Sequence, residues 1–190
     1  LEIVESVETL CGRGPHDLEE LVCVQGGLLL AAAGLAADME EGALKIHDSL
    51  NDGSALACFR AMVEAQGGDT SILESDYALL NGLGLLDETL LSTEVFAEAA
   101  GMVSDIEAMT VARACLELGS GRRALGDEID HGVGLILEVQ VGESVEEGDP
   151  LLVIYHRGKL PAGLSESLAS AFTMSEGEIE LQSRITDIIR

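Results

Sequence analysis

The sequence predicts an α+β protein, a helical layer followed by a C-terminal α+β module whose β sheet turns at a hairpin corner. Three observations carry this. Apolar residues recur at helical spacing, between capping residues, over residues 1–68. From Val133 the period changes to two: Val133, Leu135, Leu137, Val139 and Val141 alternate with Gly134, Ile136, Glu138 and Gln140. The stretch VGLILEVQVGESVEEGDPL, Val133 to Leu151, then reads as strand, glycine-cornered turn and second strand. That is the grammar of barrel-sandwich or swivel-like β modules.

Taken in order, Ile3, Val4, Val7, Leu10 and Cys11 share one helical face, and Gly12 stops that helix. Asp17 and Glu20 stand in the relation of a capping box ahead of Leu18, Leu21 and Val22. The run from Gly26 to Ala37 is apolar on every side, which predicts a central, buried helix. A second box, Asp38 with Glu41, opens a helix reaching Leu50, and Ser54 caps another that Gly67-Gly68 closes. Residues 69–91 read as a partly helical crossover, because Gly82 and Gly84 break any period.

From Ser92 the grammar is mixed. Strands are predicted over Thr93–Glu98 and Met102–Glu107, then a helix over Ala108–Leu118 with Met109, Ala112, Cys115 and Leu116 facing inward. Gly142 and Gly148 suit the corner and Pro150 suits a strand start. Leu151 to Tyr155 reads as a buried run, and Pro161 as the first turn of a helix bearing Leu164, Leu168, Ala171 and Phe172. Ile179, Leu181 and Ile185 alternate with polar neighbours in a closing strand.

Composition narrows the function classes. With 35 acidic against 10 basic residues the formal charge is −25, which repels nucleic acid and anionic membranes. The 12-residue apolar run at Gly26 is too short to span a bilayer. Cys11, Cys23, Cys58 and Cys115 show no CxxC spacing, so neither a zinc site nor a disulfide framework is expected. Reduced, buried thiols of a cytoplasmic protein are the expectation.

Motif by motif, the chemistry is thin. The VGESVEEGDPL turn resembles the hairpin of biotinyl and lipoyl carrier domains, which need a lysine at an exposed tip. Thr110 stands where the lysine of a biotin-attachment motif would be, and Lys45 and Lys159 sit in no such hairpin. Carrier function is therefore rejected. Gly119-Ser120-Gly121-Arg122-Arg123 follows a helix and lacks the Gly-Lys-Ser/Thr of a phosphate loop, so helix capping is its first reading. His131 after Asp130 is the best-placed histidine, read as a packed structural pair. No serine elbow or HExxH is present.

Several stretches together resemble the C-terminal portion of the thymidine and pyrimidine-nucleoside phosphorylases. They are LEIVESVETLCGRGPHDLEELV at the start, DGSALACFRAMVEAQGGD at 52–69, and ELGSGRRALGDEIDHGVGLILEVQVGESVEEGDPLLVIYH at 117–156, with the ending after Phe172. The resemblance implies that the chain is part of an α/β enzyme. Residues 1–86 would be the helical rear of its α/β domain and 87–190 its C-terminal α+β domain. It implies phosphorolysis, in which phosphate displaces a pyrimidine base from C1 of a nucleoside's sugar. It also implies a homodimer.

The family's phosphate- and base-binding residues match nothing in this chain, so no catalytic or substrate-binding residue is carried over. One position is: some members hold a structural cation, potassium or calcium, with backbone carbonyls and a glutamate. Glu5 resembles that glutamate, with Glu2 the nearby alternative. The rival reading is a free-standing, non-catalytic module that packs on a partner chain.

Overall fold

The computed structural model describes residues 1–177 together with Ile179, Ile185 and Asp187. The predicted closing strand over Ile179, Leu181 and Ile185 lies almost wholly outside the described residues. These divide into two compact units, Glu2–Leu79 and one beginning at Leu80 that also takes in Leu1.

The first unit is helical: α1 (Glu2–Leu10), α2 (His16–Ala32), α3 (Met39–Asn51) and α4 (Ser54–Ala65), then a 3-10 turn at Ser71–Leu73. Helix α5 (Asp76–Gly82) crosses the point of division. The expected box at the start of α3 forms, with Asp38 Oδ1 accepting the Glu41 N–H at 2.9 Å. Glu41 reaches back one residue further than a standard box, to the Ala37 N–H at 2.9 Å.

Two other starts differ from expectation. Helix α2 begins at His16 behind Pro15, and Asp17 already lies inside its first turn, accepting the Leu18 N–H. Proline sets the helix entry here without a side-chain cap. Before α4 the cap position is Gly53, at φ +83°, and the Asp52 carboxylate accepts the Ser54 N–H at 2.8 Å.

Helices α2 and α3 pack antiparallel through glycine. A Cβ added at Gly42 would lie 2.5 Å from the Gly27 carbonyl oxygen and 2.7 Å from its Cα. One added at Gly27 would meet Met39 O at 2.5 Å and Ala43 N at 2.6 Å. Only hydrogen fits at either position, so the backbones touch. The buried helix predicted for Gly26–Ala37 is not what forms. Cys23 and Gly27 are buried, whereas Leu28, Leu29 and Leu35 are exposed. The close crossing uses the glycine stripe and turns the leucines outward.

Residues 69–91, illegible as a period, are ordered by side chains. Arg60 donates to the carbonyls of Thr70 (3.0 Å) and Leu73 (2.8 Å), and Ser75 Oγ accepts the Ala78 N–H at 3.1 Å. A guanidinium thus satisfies the turn carbonyls that a regular helix would have bonded internally.

The second unit holds two three-stranded antiparallel sheets. Strand β5 (Pro150–Arg157) lies between β1 (Leu90–Phe96) and β3 (Gly134–Leu137). In the other sheet β2 (Gly101–Ile106) lies between β4 (Ser144–Val145) and β6 (Phe172–Ser175). Thr93 faces Ile154, Ile136 faces Val153 and Val103 faces Met174 in register. Helices α6 (Ala108–Leu118) and α7 (Leu164–Ala169) complete the unit. One apolar cluster fills it, from Val95, Val103, Val145, Leu151, Leu152, Ile154, Leu164, Leu168 and Phe172.

The predicted single strand over Val133–Val141 is shorter, and the corner differs. After β3 the chain leaves the first sheet, β4 joins the second, and β5 returns to the first. Two turns make these transfers by one device. Gly142 (φ +97°) and Gly148 (φ +92°) each precede an acid whose carboxylate bonds back to the turn's first N–H. Both turns also dock on the other strands: Gly142 N–H donates to Val103 O at 2.8 Å and Gly148 N–H to Ala97 O at 2.9 Å.

Helix α6 forms where predicted but rotated. Ala114 is buried and Val111 and Leu118 pack on the core, whereas Met109 and Leu116 are exposed. The helix carries apolar residues on two faces, and period alone could not choose between them. Helix α7 starts at Leu164 after Gly163 (φ +80°), not at Pro161, and Phe172 belongs to β6. A left-handed glycine resets the chain direction there.

Candidate functional site

Glu5, the one position carried over as a cation ligand, is exposed on α1 and so is Glu2. Among the described residues Glu5 belongs to no group of three metal-ligating side chains. A hard cation such as calcium takes six or more oxygens. Glu5 offers one carboxylate to such a site and does not make one by itself.

The loop after α6 is a cap and a self-satisfied turn. Gly119 takes φ +101° and Ser120 N–H returns to Cys115 O at 3.1 Å, closing the helix. The N–H groups of Arg123 and Ala124, which an external anion would need, donate to Asp127 Oδ2 at 3.0 and 2.8 Å. Arg122 Nε donates to the Asp127 carbonyl at 3.3 Å. The loop carries its own carboxylate in the anion position.

Asp130 does not pair with His131. Its carboxylate accepts from Arg157 Nε at 2.7 Å and from the Gly132 N–H at 3.0 Å, and His131 is exposed. Arg157 also bonds Asp87 Oδ2 at 3.0 Å and the Thr89 hydroxyl, pinning the entry of β1 to the loop before β3. The histidine that is built into the fold is His156, 6% exposed. Its Nδ1 donates to Gly158 O at 3.0 Å, so in the neutral ring Nε2 accepts from Thr93 Oγ1 at 2.9 Å.

Thr110 sits in the first turn of α6, where its N–H donates to Glu107 Oε2 at 2.6 Å. Hydrogen bonding from Thr110, side chain first and backbone second, holds the Glu107 carboxyl below its ordinary range. Residue 110 is thus a helix-start position, not a hairpin tip. Lys45 donates to Leu35 O and pairs with Glu41 Oε1, both at 2.7 Å, and Lys159 is exposed.

Among the described residues the structure brings together one group that no spacing rule flagged. Glu19 and Cys23 lie one turn apart on α2, and His47 faces them from α3. Their ligand atoms all lie within 4.8 Å of one another, with His47 Nδ1 2.7 Å from Glu19 Oε1. They line an open cleft of about 560 Å³ that His16, Glu20, Met39 and Leu44 complete. Burial, and then the neighbouring Glu19 charge, push the Cys23 thiol pKa up. The i, i+4 relation of Glu19 and Cys23 was readable, but His47 is 24 positions away from Cys23 and joins only through the glycine crossing.

Residues 102–175 match the family model described as the pyrimidine nucleoside phosphorylase C-terminal domain. The chain is 33% identical to the pyrimidine-nucleoside phosphorylase of Staphylococcus haemolyticus over 98% of its own length and 40% of the relative's. It is 37% identical to the Bacillus subtilis enzyme of that name, over 82% of this chain and 34% of that one. With the Geobacillus stearothermophilus enzyme it shares 32% identity over its whole length and 42% of the relative. The chain thus spans between about a third and two fifths of the length of the curated relatives it matches.

Proposed function

Because this chain belongs to the pyrimidine-nucleoside phosphorylase family, matching the C-terminal portion of its members, we propose that it is the scaffold part of such an enzyme. The reaction it supports breaks the bond from sugar C1 to the pyrimidine nitrogen and forms one from C1 to a phosphate oxygen. Free base and a ribose or deoxyribose 1-phosphate result. An enzyme for this must hold phosphate against the anomeric carbon and stabilise charge on the departing base.

The single observation that carries the scaffold reading is where five of the ten lysine and arginine side chains of this acidic chain go, all five among the described residues. Arg13 forks onto Glu8 at 2.6 and 2.7 Å, Lys45 pairs with Glu41, and Arg157 holds Asp87 and Asp130. Arg60 is spent on backbone carbonyls and Arg122 on its own loop. These cations brace the fold instead of converging on an anion. Substrate contacts would then come from other parts of the enzyme, with Glu5 (or Glu2) lending one oxygen to a structural potassium or calcium. On this reading the intact enzyme is a cytoplasmic homodimer serving nucleoside salvage. Among the described residues no helix is long and apolar enough to cross a membrane.

The purified 190-residue chain, given thymidine or uridine with phosphate, should release no base above a protein-free blank. Turnover that co-purifies with the chain and is free of host phosphorylase would overturn the scaffold reading. Sequencing the coding region upstream of Leu1 separates it from a free-standing module, because a phosphorylase requires the remaining three fifths of an enzyme.

A further inference from the structure

We propose that Glu19, Cys23 and His47 form a binding site for a borderline-soft divalent cation of the zinc type at the α2–α3 crossing.

The geometry begins with backbone. On α2 the residues 19, 23 and 27 fall on one stripe, each a turn beyond the last. On α3 the positions 39, 43 and 47 do the same. Gly27 and Gly42 let these stripes approach until backbone meets backbone, and the antiparallel run then carries Glu19 opposite His47. With bulkier residues at 27 and 42 the helices would stand further apart and the three ligands would separate. The close crossing is what converts a two-residue motif on one helix into a three-residue cluster.

The donor set selects the ion. A thiol, an imidazole nitrogen and a carboxylate oxygen together suit zinc, and suit calcium or magnesium poorly. Zinc holds such ligands at about 2.0 to 2.3 Å, which puts neighbouring N and O donors about 3.3 Å apart in a tetrahedron. Glu19 Oε1 and His47 Nδ1 stand 2.7 Å apart as hydrogen-bond partners. They need to separate by only a few tenths of an ångström, which two partly exposed side chains accommodate.

Cys23 lines the cleft in a residue 9% exposed, so the soft ligand is set by packing, whereas Glu19 and His47 are partly exposed and free to adjust their distance to it. Three protein ligands leave a fourth position facing the cleft, where His16 and Glu20 also lie. The site is remote in kind from the hard-cation role carried by Glu5, since its key donor is sulfur.

Metal-free chain titrated with zinc chloride against a chromophoric chelator should take up one equivalent. Cys23→Ser and His47→Ala should each weaken uptake at least tenfold, and Cys58→Ser, at an exposed thiol, should leave it unchanged. Cobalt(II) in place of zinc should give strong near-ultraviolet thiolate-to-metal absorption, lost in C23S. His47 is half-exposed, so H47A keeps its fold, which far-ultraviolet circular dichroism verifies. Zinc should raise the thermal midpoint of the wild-type chain and not that of H47A. No stoichiometric uptake, uptake indifferent to H47A, or uptake abolished by C58S would each overturn the proposal.

Discussion

The two units of this chain solve the burial problem in opposite ways. In the β-rich unit two small sheets and two helices enclose one apolar cluster, and Leu152, Ile154, Val103 and Leu168 lose all contact with solvent. In the helical unit the buried residues are few and scattered, among them Val7, Leu50, Leu73 and Leu79. Leu29 there is 72% exposed, and Leu35 and Leu44 are both 64% exposed. One unit closes on itself, whereas the other is held by a backbone crossing and presents its leucines outward.

The sharpest test of that contrast is a pair of truncations read by urea denaturation. Leu152→Ala, at a fully buried position, should cost about 2–5 kcal/mol through lost transfer energy and the cavity left behind. Leu29→Ala should change stability by less than about 0.5 kcal/mol. Equal losses would mean that the leucine face of the helical unit is covered after all.

A smaller effect probes the crossing. Gly42→Ala should destabilise by about 1–3 kcal/mol, because the new methyl meets backbone atoms of Gly27 that cannot step aside. Alanine's better helix propensity, worth about 1 kcal/mol, recovers only part of this. Gly26→Ala meets the Ile46 side chain instead and should cost less, as read by the same denaturation. The same G42A variant should also lose zinc uptake if the crossing sets the ligand distance.

Helix starts carry the pH dependence. The carboxyls of Glu107 and Asp52 lie below their ordinary values of 4.5 and 3.8, because N–H and hydroxyl donors of Thr110 and Ser54 favour the charged forms. The Arg13 guanidinium does the same for Glu8. A group with a depressed folded pKa contributes stability that is present above its unfolded value and fades as pH falls through the folded one. Thermal melts between pH 7 and pH 2 should therefore show a falling acid limb. Glu107→Gln should make that limb shallower while shifting the pH 7 midpoint only slightly.

The smallest expected effect is ionic. A charge of −25 repels itself across both units, so raising salt from about 0.01 M to about 1 M shortens the screening length from about 30 to about 3 Å. The thermal midpoint should rise by a few degrees. A fall would mean that the ion pairs of Arg13, Lys45 and Arg157 outweigh the repulsion.

The sequence by itself determined the kinds of element and their order, because period and capping chemistry are local. Helices α1 to α4 and the two strands around residues 90–106 all stand close to where spacing puts them. The acidic surface and the absence of a carrier lysine were also legible in residues read one at a time, and the family likeness in several stretches taken together.

Tertiary structure alone decided which apolar face turns inward. On α6 it chose Ala114 over Met109, and on α2 the glycines over the leucines, since a helix apolar on two sides leaves the choice to its neighbours. It alone gave Asp130 to Arg157 instead of His131 and split the corner between two sheets. It alone brought His47 to Glu19 and Cys23, because contact between distant residues depends on how closely two backbones can approach.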